Sequence, residues 1–327
     1  MMRAIQITEH GGPEVLRSAD VDVPDEPGDG QLLIDVAAAG VNYIDTYQRA
    51  GIYPMQLPFV PGVEGAGTVA RIGPGVENVR VGDRVVWAAS PGSYAERAII
   101  PAMDAVPIPE GVNIETAAAT LLQGLTAHYL TVTTYPLQPG DTVLVHAAAG
   151  GVGLLLTQLV TLRGARAIGT VSTDEKEEVA RKAGAAEVIR YAAVDDLAAR
   201  VRELTDGEGV AAVYDGVGAS TFDASLASLR RRGTLVLYGA ASGPVAPVDP
   251  QRLNTAGSVF LTRPKLGDHI TTREELRWRA GEVFDVVRNK RLRITISGRY
   301  PLDEARSAHE DLQGRRTTGK LLLLTSG

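Results

Sequence analysis

The chain contains no cysteine. That single absence excludes disulfides, iron–sulfur clusters, thiolate nucleophiles and every cysteine-ligated zinc site. Aromatic residues are scarce, at 5%, and no run of five or more basic residues occurs. The interleaved basic and aromatic side chains that grip single-stranded nucleic acid are therefore missing. The charge balance is acidic, with 33 Lys and Arg against 39 Asp and Glu for a net −6. The densest basic cluster, Arg230-Arg231-Arg232, reads as a solvated helix end, so nucleic acid is disfavoured as a main partner. Also absent are an uninterrupted run of 18 apolar residues, which leaves no membrane span to expect, and any internal repeat or low-complexity tract. Met1–Gly12 alternates apolar and polar residues and includes Glu9, unlike a signal peptide, so the expected address is cytoplasmic.

What is present is a chain of 327 residues, 44% hydrophobic and 22% charged, the composition of a folded protein and a length of about two domains. The first third is rich in Val, Gly and Pro. Alternating stretches at Met2–Thr8, Leu32–Ala38 and Gly67–Ile72 are separated by turn signals at Gly11-Gly12-Pro13, Pro24–Gly30 and Gly73-Pro74-Gly75, which predicts a β-rich, barrel-type domain. From Ile114 the spacing becomes helical, with Ala117, Leu121 and Leu125 on one face of a linker helix running to about Thr133.

After the break at Pro136–Asp141, six short strand patterns alternate with helical ones: Thr142–His146, Ala165–Val171, Glu187–Ile189, Gly209–Tyr214, Thr234–Tyr238 and Ser258–Thr262. That alternation predicts a doubly wound parallel sheet with right-handed crossovers. Thr272-Arg273-Glu274-Glu275 fits a capping box opening a helix to about Asn289. The Lys320–Leu324 run reads as a strand that returns to the first domain. The last strand of the parallel sheet, Ser258–Thr262, would leave an open edge able to pair across a two-fold axis, and a homodimer is expected.

The strongest local signal is Thr142-Val-Leu-Val-His146 followed by Ala147-Ala148-Ala149-Gly150-Gly151-Val152-Gly153 and an apolar helical run through Leu162. A strand feeding a glycine turn and then a helix presents backbone N–H groups and the positive end of the helix dipole to a pyrophosphate. The first glycine of the usual motif is Ala148 here. At the end of the second strand, where an NAD site places an acid for the ribose 2′-hydroxyl, the chain has Ser172, with Lys176 one helical turn beyond. Both can hold a 2′-phosphate, which favours NADPH. The alternative is that Asp174 is the ribose acid and Lys176 a solvated helix charge.

Several further segments carry a resemblance that spans essentially the whole chain. They are Gly11-Gly12-Pro13-Glu14-Val15-Leu16, Gly40-Val41-Asn42-Tyr43-Ile44-Asp45-Thr46-Tyr47, the turn Ala147–Gly153, Gly169-Thr170-Val171, Tyr214-Asp215, Thr262-Arg263-Pro264 and Thr271–Leu276. Together they resemble the NADPH:quinone oxidoreductases, the zeta-crystallin-like, zinc-independent branch of the medium-chain dehydrogenase/reductase superfamily. The resemblance implies an α/β fold: a Rossmann doubly wound parallel sheet, the NADPH-binding domain, over 125–264. It also implies a β-rich GroES-like catalytic domain, a partly open barrel, over 1–124 and 265–327. Where the zinc-dependent alcohol dehydrogenases of the superfamily carry Gly-His-Glu, this chain has Gly62-Val63-Glu64. With no cysteine and five scattered histidines, no metal site is expected. Alcohol oxidation needs a Lewis acid, whereas a quinone needs only positioning at the nicotinamide and hydrogen bonds to its carbonyls.

The implied activity is direct hydride transfer from NADPH to a quinone in the interdomain cleft, with protonation from solvent. Two alternatives stand beside it: an NADPH-dependent enoyl or alkenal reductase, and a non-catalytic NADPH-binding protein of crystallin-like or RNA-binding role. By the resemblance, Asn42, Ile44, Asp45 and Tyr47 lie beside nicotinamide and substrate, and Thr126 and Tyr129 contribute from the linker helix. Gly150, Gly151 and Val152 form the pyrophosphate turn, and Ser172, Lys176 and Tyr191 the adenosine phosphate site. Gly216, Tyr238, Gly239, Ala241, Arg263 and Arg315 line the rest of the cofactor.

Asn42, Asp45, Tyr47, Tyr53 and Gln123 are the candidates for the reacting side. Tyr47 and Tyr53 offer hydroxyls and a ring face to a quinone, and Gln123 stands where close relatives carry lysine. Ala240-Ala241 replaces a more polar pair. Asp45 reads equally as a relay or as a helix cap. His146, just before the glycine turn, reads as a hydrogen-bonded core histidine, and Glu64 as structural.

Overall fold

In the computed structural model, residues 1–23 and 26–325 are described; Pro24 and Asp25, which open the turn expected over Pro24–Gly30, lie outside the described residues. Two compact units divide the chain: Met1–Gln123 with Ile270–Lys290 and Ile294–Gly327, and Gly124–His269 with Arg291–Arg293.

The first unit opens with β1 (Met2–Gln6), β2 (Arg17–Val21) and β3 (Gln31–Val41), then α1 (Tyr43–Arg49). It continues through β4 (Glu64–Ile72), β5 (Arg84–Trp87), β6 (Arg97–Pro101) and β7 (Val106–Pro107) to α2 (Ile114–Tyr129). In α2 Ala117, Leu121 and Leu125 are all buried, as their four-residue spacing predicts. The helix ends differently from expectation: Leu130–Thr134 is a π turn, closed by the Tyr135 amide on the Leu130 carbonyl at 3.1 Å.

The second unit alternates strand and helix: β8 (Thr142–Val145), α3 (Gly151–Leu162), β9 (Arg166–Val171), α4 (Asp174–Lys182), β10 (Glu187–Arg190) and α5 (Leu197–Glu203). Then come β11 (Val210–Asp215), α6 (Phe222–Ala227), β12 (Leu229–Leu237), α7 (Gln251–Thr255) and β13 (Phe260–Thr262). The chain finishes in the first unit with α8 (Arg273–Arg288), β14 (Ile296–Pro301), α9 (Ala305–Gln313) and β15 (Lys320–Leu324). The Thr272 hydroxyl accepts the Glu275 amide at 3.1 Å and so starts α8 where the capping pattern places it.

β15 does return: it pairs antiparallel with β3 and parallel with β14, in a seven-stranded sheet of order β14-β15-β3-β4-β5-β7 with β6 also on β3. Both faces of β3 are covered. Leu32, Ile34 and Val36 join Val69, Trp87 and Ile100 in one core, while Ala39 and Val41 join Ile5, Leu321 and Leu323 in another. Alternation along the strand puts even and odd positions on opposite faces, and the pairing with β4 shifts register between Val36 and Ala38.

In the second unit all six strands pair in parallel, in the order β10-β9-β8-β11-β12-β13. The order reverses between β8 and β11, the switch point at which such sheets bind ligands beyond the carboxyl ends of their strands. Helices on both faces explain why β11 is buried along its whole length.

Arg230, Arg231 and Arg232 do not end a helix but open β12, within a bulge that sets Val210 opposite Leu229 and Ala212 opposite Thr234. Arg232 takes φ +59 there, and Arg230 reaches Asp141 at 3.2 Å. The bulge lifts the three side chains out of the ladder, so a basic run is tolerated in a strand whose remainder is buried.

Candidate functional site

In the β8–α3 turn, Ala147 takes φ +50 and its carbonyl accepts the Gly150 amide at 2.8 Å. Gly150 is the N-cap of α3, and no side chain caps that helix end. The first-turn amides are thereby left to a ligand, and the helix dipole adds to them. A Cβ at Gly153 would lie 2.3 Å from the Ala147 carbonyl oxygen, so helix and strand can approach this closely only through a glycine. The missing first glycine has a structural counterpart. Ala148 is buried, and its methyl fills the space that a side chain at Gly169 on β9 would need, 2.8 Å from a Cβ built there. The turn fits a pyrophosphate without the first glycine of the motif because β9 supplies the clearance.

Beyond β9, Ser172 is followed by Thr173, whose hydroxyl caps α4 by accepting the Lys176 amide at 3.3 Å. The short β9–α4 connection places Ser172 and Lys176 together at the carboxyl end of the sheet. Tyr191, partly exposed, follows the last residue of the neighbouring strand β10. Arg190, which the motif reading passed over, sends its guanidinium to Asp174 and Glu177 of α4. Its only sequence signal is a basic residue at a strand end.

The turns after β11 and β12 interlock. Tyr238 donates its amide to the Asp215 carbonyl at 2.9 Å and Ala241 to that of Gly216 at 3.3 Å, so Gly216, Tyr238, Gly239 and Ala241 form one patch. Asp215 holds it from beneath: Oδ1 accepts the amides of Val217 and Gly218 at 2.8 and 3.0 Å, and Oδ2 accepts the Ser225 hydroxyl at 2.7 Å. His146 continues this chain, with Nε2 at 2.9 Å from Ser225 and Nδ1 at 3.0 Å from Thr170. Burial lowers its pKa, with Asp215 opposing. His146 is a fully hydrogen-bonded core histidine, as its position suggests.

Thr126 and Tyr129 are buried on α2. The Tyr129 ring stacks on His269 with centroids 4.2 Å apart and planes 5° from parallel, a pairing the sequence does not announce. Burial raises the Tyr129 pKa, with Arg263 close enough to oppose it.

In the first unit Asn42 is the N-cap of α1 and Asp45 completes the capping box, accepting the Asn42 amide at 2.8 Å. The Asn42 side chain donates to the Gly40 carbonyl at 3.2 Å and to Glu64 at 2.9 Å, and accepts from the Lys320 ammonium at 2.7 Å. Lys320 also meets Glu64 at 2.5 Å, and the other Glu64 oxygen accepts the Leu122 amide at 2.7 Å. Glu64 is structural, as read; its partner on β15 was not foreseen.

Asp45 is wholly buried, and Tyr94 donates to it at 3.0 Å. Tyr94 in turn lies 3.0 Å from His309 Nε2, and Arg49 lies 2.9 Å from His309 Nδ1. Because Arg49 can only donate, His309 accepts at Nδ1 and carries its proton on Nε2. The chain therefore runs one way, Arg49 to His309 to Tyr94 to Asp45. Burial raises Asp45 to about 7 against the pull of the Asn42 amide, Lys320 and Tyr94, and burial with Arg49 lowers His309 to about 3. Both groups are thus held neutral at the centre of the unit near pH 6.

α1 carries Ile44 and Tyr47 on this foundation. Tyr47 packs edge-on against Tyr53 with centroids 5.5 Å apart, and the Tyr47 carbonyl accepts the amides of Ile52 and Tyr53. Tyr43 donates to the Leu312 carbonyl at 3.1 Å and feels the charge of Arg315, which takes φ +54 just beyond α9. The structure thus gathers Asn42, Ile44, Asp45, Tyr47 and Tyr53 around one short helix; Gln123, on α2, follows Leu122, whose amide bonds to the Glu64 that also holds Asn42. Among the described residues no group of three or more His, Asp or Glu side chains is placed to hold a metal ion, and Val63 offers no ligand atom.

Comparison with known proteins bears on these two clusters. Residues 28–110 match the alcohol dehydrogenase GroES-like domain and residues 151–277 the zinc-binding dehydrogenase family. A quinone oxidoreductase of Pseudomonas aeruginosa is 45% identical over 326 residues, covering 99% of this chain and 100% of that protein. A 2-haloacrylate reductase of a Burkholderia species is 40% identical over 332 residues, 99% of each. Among solved structures, a mycobacterial protein complexed with NADPH is 56% identical with a TM-score of 0.96, covering 99% of this chain and 100% of that one.

Proposed function

Since the chain belongs to the quinone oxidoreductase family of the medium-chain dehydrogenases and reductases, we propose that it is an NADPH-dependent quinone reductase working without zinc. The observation that carries this reading is the uncapped α3 terminus beside Ser172 and Lys176, in a chain that matches a quinone oxidoreductase from end to end.

Bound NADPH supplies the hydride. Gly150, Gly151 and Val152 hold its pyrophosphate through backbone amides, Ser172, Lys176 and Tyr191 its adenosine phosphate. Gly216, Tyr238, Gly239, Ala241, Arg263 and Arg315 would line the remainder, and Thr126 and Tyr129 would contribute from α2. Tyr47 and Tyr53 present a ring face and hydroxyls to a planar acceptor, and Asn42, Ile44 and Asp45 fix the turn that carries them. The acceptor's oxygens take their protons from solvent, because a hydroquinone anion is stable enough to wait for one. No Lewis acid is needed for such an acceptor, and a cysteine-free chain with Val63 in place of a ligand supports that view.

The 2-haloacrylate reductase relative supports a second reading, reduction of a conjugated C=C, which needs a proton delivered to carbon and so gives a positioned acid more to do. A homodimer belongs to the same proposal. β13 is an edge strand whose Phe260 is 61% exposed, and pairing two such edges would cover it. A cytoplasmic location is proposed with it, resting on the NADPH requirement.

The test is anaerobic stopped-flow oxidation of NADPH, with NADH in parallel, against a benzoquinone, a naphthoquinone and a 2-alkenal. Fast turnover of a quinone with NADPH, unaffected by a chelator, is expected. Turnover of the alkenal alone would replace this reading with the second.

A further inference from the structure

Arg190 closes β10 one residue before Tyr191, and its guanidinium reaches across to the first turn of α4. It donates to Asp174 and lies 3.3 Å from Glu177, which Arg181 holds at 2.9 Å from its other side. This is the turn that follows Ser172 and carries Lys176, and it holds three acids, Asp174, Glu175 and Glu177. Acids suit a helix N-terminus, where they meet the positive end of the dipole. They do not suit a phosphate dianion, and a carboxylate at this rim is the arrangement that selects the free ribose hydroxyls of NADH. Glu175 is engaged by Thr173 within the turn. The other two acids share Arg190.

We propose that Arg190 sets the preference for NADPH over NADH by pairing with Asp174 and Glu177, so that the cofactor's 2′-phosphate meets Ser172 and Lys176 on a turn whose acids are already engaged. The inference rests on the reading of this edge as the adenosine phosphate site. Arg190 acts here as a specificity-determining residue through Asp174. It reconciles a turn crowded with acids with a phosphate-binding role, and by holding Oδ1 of Asp174 it competes with a ribose for that carboxylate.

Exposed ion pairs of this kind contribute little to stability, so the variants are expected to fold. Binding of adenosine 2′,5′-bisphosphate and of 5′-AMP by calorimetry isolates the 2′-phosphate, and steady-state KM and kcat with NADPH and NADH give a second readout. Arg190→Gln should weaken the bisphosphate and raise KM for NADPH about tenfold, as expected for one uncompensated like charge a few ångströms away in partial solvent, with kcat and 5′-AMP affinity unchanged. Adding Asp174→Asn to Arg190→Gln should recover most of that loss.

An unchanged NADPH preference in Arg190→Gln would overturn the proposal. So would a double variant as weak as the single one, which would mean that Arg190 touches the phosphate directly. Lys176→Ala separates the role of Arg190 from the phosphate site itself. If it abolishes the preference while Arg190→Gln does not, only the role of Arg190 fails. If the wild type shows no preference and Lys176→Ala changes nothing, the phosphate-site reading fails and the role of Arg190 with it.

Discussion

The two units solve the same problem, holding a polar site at the edge of an apolar core, by different means. The Rossmann unit does it with backbone: amides at the start of α3 and closely packed turns after β11 and β12, made possible by small residues and fastened by Asp215. The other unit does it with buried charge. Around α1 lie Lys320, Glu64, Arg49 and Asp45, all essentially inaccessible and held by one another or by Asn42, Tyr94 and His309, although Asp45 Oδ1 has no hydrogen-bond partner. A backbone site depends on the absence of side chains at a few positions. A charge site depends on the presence of every partner at once, so the two should break in different ways.

The largest expected effect is on the charge side. Lys320→Met would leave Glu64 buried without its cation and the Asn42 amide oxygen without its donor. Removing one member of such a pair costs about 3–5 kcal/mol, while removing both is far better tolerated. Denaturant unfolding should therefore show Lys320→Met strongly destabilised and Glu64→Gln/Lys320→Met close to wild type. A double variant no better than the single one would mean that the pair is not what holds α1.

On the backbone side, Gly153→Ala adds a methyl 2.3 Å from the Ala147 carbonyl oxygen. Relief requires α3 to move off β8, at about 1–3 kcal/mol for overpacking of this kind. The sharper signature is in binding: the first-turn amides move with the helix, so NADPH affinity should fall by more than the loss of stability explains. Ala148→Gly, by contrast, should leave binding nearly unchanged, since Gly169 already provides the clearance that a glycine at 148 would. Fluorescence titration of both variants decides whether this reading of the missing glycine is right.

The same contrast explains what could be read before the structure was known. The glycine turn, all six strands of the parallel sheet, the α8 cap at Thr272 and the strand character of β15 are written in local spacing, because each depends on residues within one or two turns of one another. The charge site is assembled from Asn42, Glu64, Tyr94, His309 and Lys320, separated by up to 278 residues. No period or motif links them. Even so, Glu64 was legible as structural once its neighbour was Val63 and not a histidine. The bulge that takes Arg230–Arg232 out of the β12 ladder was illegible for another reason: a positive φ at a non-glycine residue leaves no mark in composition.

Over a step of one pH unit the smallest effect, and the most discriminating, is in the pH dependence of stability. His309 has a folded pKa near 3, below its unfolded value, so it contributes stability that is complete above about 6.5 and lost as the pH falls. Asp45 is raised to about 7, so its contribution has the opposite sign: it favours folding most below about 4 and declines as the pH rises to 7. Between about 4 and 6.5 the unfolded chain keeps a proton on the histidine and none on the aspartate, whereas the folded chain does the reverse. The number of protons bound is the same, and the two contributions offset each other. Asp45→Asn should unmask the His309 contribution, so that its stability relative to wild type rises with pH across that window. His309→Gln, which can still accept from Arg49 and donate to Tyr94, should unmask Asp45 and give the opposite slope, each at most about 1.4 kcal/mol per pH unit. Thermal unfolding of the three proteins from pH 4 to 7.5 would show two difference curves of opposite sign. Parallel curves would mean that the proton does not pass between these groups on folding, and that the charge site is tuned by Lys320 and Glu64 alone.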